Sequence, residues 1–480
     1  MRLKPDYFLA FFNMGLALQI LGDIAGAEDS YRRAVQLNPG DYQANFCLAG
    51  MLIVRLKLDE AERLIRKALE LKPESATDLF RLAHVLREQG KIDKAADVCE
   101  QLLTLDADNL QAFLGVCLML PPVYSGRDHV IAARQRYAGG LKRLKAGVER
   151  FKCLPASKIL EQLQWGNFYL AYQGLNDREL QFEYAGFVAE VLSAIVPEFF
   201  EPLAKDTNAV KRRLRVGFLS SFLRECTVGS YFKSWITLLD HERFEVFVYY
   251  TGYWRDDVKR EIEESAEHYA SLIGVGAVEI AHRIKRDSLD VLVYPEMGMD
   301  VTVSMLGAMR LAPVQCVAWG HPVTTGHQNI DYYLSCASME PENASEHYTE
   351  KLFLLSGIGT CYSRPACFSS SCRSHYGLPE DSHLYFCPQS PYKIHPDNDD
   401  LFLDILEQDP QATLVFFQGM YANTTQAFKA RLEQGIVARS LAIRRRVVFL
   451  PRMDHEAYLQ VNRSCDVMLD TLHWSGGNTS

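Results

Sequence analysis

Apolar residues recur at helical spacing through the first 120 residues, and the pattern repeats. Pro5, Pro39 and Pro73 stand 34 residues apart, and later positions keep phase: Phe12, Phe46 and Phe80; Gly15, Ala49 and Ala83; Ala27, Ala61 and Ala95; Leu37, Leu71 and Leu105. A period of this length predicts one helix pair per unit. Small residues let the two helices approach, Phe and Leu fill the stack, and proline separates the units. A fourth, imperfect unit is predicted from about residue 107, with a helix over 109–120 stopped by Pro121 and Pro122. Helical patterning continues over 124–203, where Arg134, Arg136, Lys142, Arg143, Lys145 and Arg150 alternate with apolar residues as a solvated face does.

From Lys211 the texture changes to short apolar runs separated mostly by helical stretches. Strands are predicted over 214–221, 244–250, 291–294, 313–319, 332–335 and 352–355, with a helix over 228–239. A second set of strands is predicted over 384–387, 413–417, 446–451 and 466–470. Such alternation predicts two open, largely parallel sheets in tandem, each with helices on both faces and ligands beyond the carboxyl ends of its strands. The expected organisation is a repeat solenoid over 1–120, a helical linker region over 121–205, and two α/β domains over 206–375 and 376–480. The fold class is thus α + α/β.

Composition narrows the partners. With 51 Lys+Arg against 60 Asp+Glu, the net charge of −9 opposes attachment to nucleic acid or an anionic membrane surface. No run reaches the length of a membrane span. The apolar stretch over 8–21 belongs to the repeat rather than to a secretion signal, so a soluble, cytoplasmic chain is expected. Twelve cysteines lack a CxxC pair. Cys361, Cys367 and Cys372, with His375, match no standard zinc framework, and no metal is expected.

Four strand ends carry residue types suited to a ligand. After the 384–387 strand, Cys387-Pro-Gln-Ser-Pro-Tyr-Lys places Gln389, Ser390 and the cation Lys393 where an anion would arrive. After the 466–470 strand, Ser475-Gly-Gly-Asn-Thr-Ser offers Gly476 and Gly477 for close backbone approach, and Asn478, Thr479 and Ser480 as hydrogen-bond donors to phosphate. His321, Thr324 and Thr325 follow the 313–319 strand, and His455 and Tyr458 follow the 446–451 strand, where they can hold a ribose and a base. Together they predict a diphosphate ligand, a nucleotide, in a cleft between the two sheets.

The 34-residue units are identified as tetratricopeptide repeats, whose concave surface holds polypeptide. Joined to RVGFLSS, LAPVQCVAWGHPVTTGHQNIDYYLS, CPQSPYKIHPD and DVMLDTLHWSGGNTS, they resemble the O-linked N-acetylglucosamine transferase and SPINDLY family in its bacterial form. The resemblance implies a GT-B pair of Rossmann-like domains and protein O-glycosylation on Ser or Thr from a nucleotide sugar, UDP-N-acetylglucosamine first among the UDP- and GDP-sugars. It implies an inverting mechanism with no metal or cofactor. It makes Lys393 the catalytic lysine on the donor diphosphate, and puts Tyr458 on the base, His455 on the ribose, Asn478 and Thr479 on the phosphates and His268 near the active site. Ser390 stands where the family often has Gln, and Cys226 where it has a histidine near donor and acceptor. The sequence stops inside the phosphate-binding turn, which reads as a partial second Rossmann-like domain. The alternative reading is a noncatalytic repeat scaffold carrying a degenerate transferase domain. A GT-B enzyme acting on a small molecule fits the repeats less well.

Overall fold

The structure is a computed structural model that describes residues 7–20, 23–203, 212–361, 373–439 and 446–476. Contacts gather the chain into two units, one built from residues 1–137 and 368–476, the other from 138–367 with 477–480. Eleven strands are formed among the described residues: β1 Leu214–Ser220, β2 Phe244–Tyr250, β3 His268–Ser271, β4 Val291–Tyr294, β5 Val314–Ala318, β6 Tyr332–Cys336, β7 Lys351–Leu355, β8 His383–Cys387, β9 Ala412–Phe417, β10 Val447–Leu450 and β11 Val467–Met468.

The first unit opens with the predicted helix pairs, Phe8–Ile20 with Ile24–Leu37, Tyr42–Val54 with Leu58–Leu71, and Ala76–Glu88 with Ile92–Leu105, followed by Leu110–Leu118. Asp41, Ser75 and Asn109 cap their helices by accepting the N–H groups of Ala44, Asp78 and Ala112. The repeat explains the packing: Ala27, Ala61 and Ala95 are completely buried, and a Cβ on Gly15 would lie 2.6 Å from the Tyr31 ring. One expectation fails. Leu71 and Leu105 are 44% and 45% exposed, because they end their helices beyond the stack instead of filling it. Glu28, buried between repeats, accepts hydrogen bonds on Oε1 from Arg32 at 2.7 Å and Lys57 at 2.6 Å, and Arg55 lies 3.0 Å from Oε2 as an ion pair, so three cations offset the burial of the carboxylate.

The same unit carries a parallel sheet in the order β10-β9-β8-β11. Alternation along β8 sends Leu384 and Phe386 to one hydrophobic cluster and Cys387 to another, so both faces are covered. Arg431, 5% exposed on the helix Ala422–Ala438, pairs with Asp399 at 2.7 Å and donates to the carbonyls of Tyr124 and Ile394.

The second unit is a seven-stranded parallel sheet in the order β3-β2-β1-β4-β5-β6-β7. Its strand β3 is absent from the sequence prediction: four residues at an edge, none of them buried, carry no apolar signature. The segment joining β5 to β6 is a loop without a helix. Residues over 138–203 are not a linker. Phe168 stacks on His321 at 5.5 Å, Phe199 accepts the Arg310 N–H at 2.7 Å, and Arg178 donates to the Tyr348 carbonyl at 2.8 Å, so the helical segment is part of this unit. The predicted boundary at 205/206 therefore does not separate two folding units. The charged helix Arg127–Lys152 keeps Arg136, Lys142, Arg143, Lys145 and Arg150 exposed. No described helix is long and apolar enough to cross a membrane.

Candidate active site

In the first unit the chain runs outward from β8 to β9 and β10, then returns to place β11 on the other side of β8. That reversal is the switch point of the sheet, and ligands of such sheets bind beyond the carboxyl ends of the strands that flank it, here β8 and β11. Two segments leave there. One carries Gln389, buried, then Ser390, whose hydroxyl bonds the Tyr392 phenol, then the turn Pro391–Lys393, closed by the Lys393 N–H donating to the Ser390 carbonyl at 2.8 Å. The other carries Trp474, Ser475 and Gly476. Asp470 shapes it by accepting Ser475 Oγ at 2.7 Å and the Gly476 N–H at 3.1 Å. The completely buried Asn398 ties the two together, donating to the His395 carbonyl at 3.0 Å and accepting the Leu472 N–H at 2.8 Å.

Lys393 is half-buried, with Nζ 5.9 Å from the Trp474 ring centroid. Among the described residues its ammonium meets no carboxylate, and burial holds its pKa below the ordinary lysine value. A partly desolvated cation without a counter-ion is a site waiting for an anion. On the same carboxyl edge, the helix His455–Ser464 follows β10, capped by Asp454 accepting the Ala457 N–H at 2.8 Å. His455 is exposed and nearly parallel to Tyr458, their centroids 6.3 Å apart, while Tyr458 leans on Phe386 and Phe417. The structure thus brings Gln389, Ser390, Lys393, His455, Tyr458 and Gly476 to one end of one sheet. Gly477, Asn478, Thr479 and Ser480 lie outside the described residues, as do Cys367 and Cys372.

In the second unit the reversal falls between β1 and β4. Cys226 begins the helix Thr227–Thr237 after β1, its Sγ donating to the Phe222 carbonyl at 3.3 Å. Glu296, just past β4, is completely buried, and Ser220 Oγ donates to its Oε1 at 3.3 Å while Oε2 has no partner. Burial, reinforced by the charge of Asp300, raises its pKa to about 8, so this carboxyl is protonated at neutral pH. His321 lies close by, its Cδ2 2.9 Å from where a Cβ on Gly298 would stand.

Two expectations are corrected here. Thr324 and Thr325 are not available to a ligand. Thr324 Oγ1 donates to Glu350 Oε2 at 2.6 Å, and Thr325 gives both its hydroxyl and its N–H, the latter at 2.8 Å, to Oε1. Their loop folds around this buried carboxylate and is pinned at Gly326, whose φ of +76° and 2.2 Å clearance from the Gln181 carbonyl exclude any side chain. His268 is the second correction. It begins β3, level with Phe247 in mid-sheet, stacked on that ring at 4.2 Å and paired with Glu245 at 2.9 Å, three residues short of the carboxyl edge. The sequence reading missed Glu296, Asp470, Asn398 and Glu350. A carboxylate directly after the buried run 291–294 was the available signal for the first.

Residues 190–358 match glycosyl transferase family 41, and residues 8–41 and 52–109 match the tetratricopeptide repeat. Over 63% of its length the chain is 24% identical to the probable UDP-N-acetylglucosamine–peptide N-acetylglucosaminyltransferase SEC of Arabidopsis thaliana, covering 31% of that protein. To the corresponding SPINDLY protein of Solanum lycopersicum it is 24% identical over 57% of its length, covering 30% of that protein. The chain therefore spans about a third of the length of these curated relatives. A mutant O-GlcNAc transferase of Thermobaculum terrenum shares the fold, with a TM-score of 0.66 at 21% identity, covering 98% of this chain and 79% of that one. Repeats, parallel sheets and sequence matches agree: the chain is a tetratricopeptide-repeat protein with a glycosyltransferase family 41 domain, homologous to the SEC and SPINDLY transferases.

Proposed function

We propose that this protein transfers a sugar from a nucleotide-sugar donor to Ser or Thr of acceptor polypeptides held by the repeats, with UDP-N-acetylglucosamine as donor. The observation that supports the reading is the Lys393 ammonium just past the carboxyl end of β8, without a carboxylate partner among the described residues and 5.9 Å from the ring of Trp474, which precedes the turn that Asp470 shapes at Ser475 and Gly476. The family 41 match and the printed names of the relatives support the chemistry.

In an inverting transfer the acceptor hydroxyl oxygen bonds to the anomeric carbon as the bond to the diphosphate breaks. The bonding pair leaves with the diphosphate, and the acceptor proton is lost to a base. Lys393 meets the developing negative charge, a task it performs without a metal in the transfer step; removing one such donor typically slows an enzyme by roughly 100- to 1000-fold. Tyr458 and His455 supply a ring surface and an imidazole on the same edge for the nucleoside. Glu296, protonated at neutral pH, can donate a hydrogen bond but cannot serve there as a base.

A second reading, a repeat scaffold with a degenerate transferase domain, is favoured by Cys226 and by the engagement of Thr324 and Thr325 with Glu350. Calorimetry with UDP, GDP and their sugars separates the two. The transferase binds at least one of them and Lys393→Ala loses it with no loss of thermal stability, whereas the scaffold gives no heat with any. Intact-mass spectrometry of a peptide library incubated with each nucleotide sugar then reads the added residue, N-acetylhexosamine being expected.

A further inference from the structure

Two residues beyond Lys393 a second constellation assembles from the same two segments. His395 and Asp397 follow the Pro391–Lys393 turn, His473 follows β11, and one donor atom from each lies within 4.8 Å of the others. His473 Nε2 is 2.7 Å from Asp397 Oδ2, His395 Nδ1 is 3.5 Å from the same oxygen, and the imidazole centroids are 4.6 Å apart. His473 reaches this position from a left-handed backbone, φ +67°, which few residues other than glycine adopt. Arg127 holds the other oxygen, Oδ1, and so fixes the carboxylate with Oδ2 toward the imidazoles.

We propose that His395, Asp397 and His473 form a binding site for a divalent late transition metal, with Zn²⁺ the best match, and that metal bound there fastens the Trp474–Gly476 turn to the Lys393 loop. Two imidazoles and one carboxylate are a zinc-type donor set that leaves a coordination position open, and they are a poor match to Mg²⁺, which prefers oxygen ligands and its own waters. Binding replaces two hydrogen bonds, His473 Nε2 to Asp397 and the Asp397 N–H to His395 Nδ1 at 3.1 Å, and His473 ligates after its proton moves to the other ring nitrogen. The Arg127 charge next to Asp397 weakens the attraction of that carboxylate for a cation. It takes no part in the transfer step proposed above and stands whether or not the donor is a nucleotide sugar.

The test titrates the chelator-stripped full chain with Zn²⁺ by calorimetry and with Co²⁺ by absorption. The expected result is one equivalent of zinc, affinity reduced by at least about 100-fold in His473→Ala, more than loss of an outer partner costs a metal site, and no change in His347→Ala. The cobalt form shows no thiolate charge-transfer band. Zinc slows hydrogen exchange over 471–476 in the wild type and not in His473→Ala. No zinc binding by the wild type, binding that His473→Ala leaves intact, or a thiolate band assigning the metal to cysteine overturns the proposal, and none of these outcomes bears on UDP binding.

Discussion

Glu296→Gln should make the second unit more stable, by an amount that grows with pH. The carboxyl is completely buried, and Ser220 Oγ approaches it only at 3.3 Å. Desolvation, then the charge of Asp300, raises its pKa from 4.5 to about 8, against the smaller opposing effects of the Met299 N–H and Ser220. A raised carboxyl pKa means the folded chain holds a proton that the unfolded chain has released. Stability is therefore fully present below about pH 4.5 and falls as pH rises toward 8, by about 1.4 kcal/mol per unit. The total loss is about 5 kcal/mol, of which about 3 kcal/mol is already incurred at pH 7. Glutamine keeps the shape and cannot ionise, so its advantage is near zero at pH 4.5 and largest above pH 8. Four of the five tryptophans, Trp165, Trp235, Trp254 and Trp319, lie in this unit, so urea unfolding read by tryptophan fluorescence reports on it. Unfolding midpoints of wild type and variant that run parallel from pH 5 to 8.5 would falsify the assignment of a buried, protonated carboxyl.

Other substitutions test the scaffold around each site. Asn398→Ala removes the two hydrogen bonds that tie the Lys393 loop to Leu472, a loss of about 2 kcal/mol, and UDP binding should weaken with it. Calorimetry showing wild-type affinity would separate Asn398 from the site. Thr325→Val leaves Glu350 short of one hydroxyl in a buried setting, for about 1–3 kcal/mol, seen as a lower melting temperature. An unchanged value means that the hydroxyl is dispensable. Gly229→Ala puts a Cβ 1.8 Å from the Arg224 carbonyl oxygen, so the loop bearing Cys226 must shift, with destabilisation of at least about 1–3 kcal/mol. Recovery of a fully stable variant by denaturant titration would show that this loop gives way easily.

The sequence made legible whatever depends on periodicity or on a long apolar run. Ala27, Ala61 and Ala95 announced the helix pairs because each must vanish between two helices, and β2 and β4 were bounded to the residue by runs buried on both faces. The edge strand β3 has no such run, and its histidine was read as catalytic for want of the pairing with Glu245 that explains it. Loop residues were legible by type but not by partner. Thr324 and Thr325 look the same in sequence whether their hydroxyls await a ligand or a carboxylate 25 residues away, and only folding shows that Glu350 has taken them.

Partnering separates the two carboxyl edges chemically. In the second unit the polar groups at the strand ends are mostly satisfied from within: Glu350 by two threonines, and Glu296 by keeping its proton. Glu296 thus carries no charge for a ligand to neutralise, and both Glu350 oxygens already have donors. In the first unit the polar groups are arranged but not neutralised. Asp470 shapes a turn by taking its N–H and hydroxyl groups, Asn398 joins that turn to the neighbouring loop, and among the described residues Lys393 has an aromatic face beside it and no anion. A half-buried ammonium destabilises the chain that carries it until something negative arrives, so that binding relieves the desolvation already incurred on folding. Among the described residues the cation left for an anionic ligand therefore lies at the carboxyl edge of the first unit's sheet, while the second unit gathers Cys226, Ser220 and the protonated Glu296 at its own point of reversal.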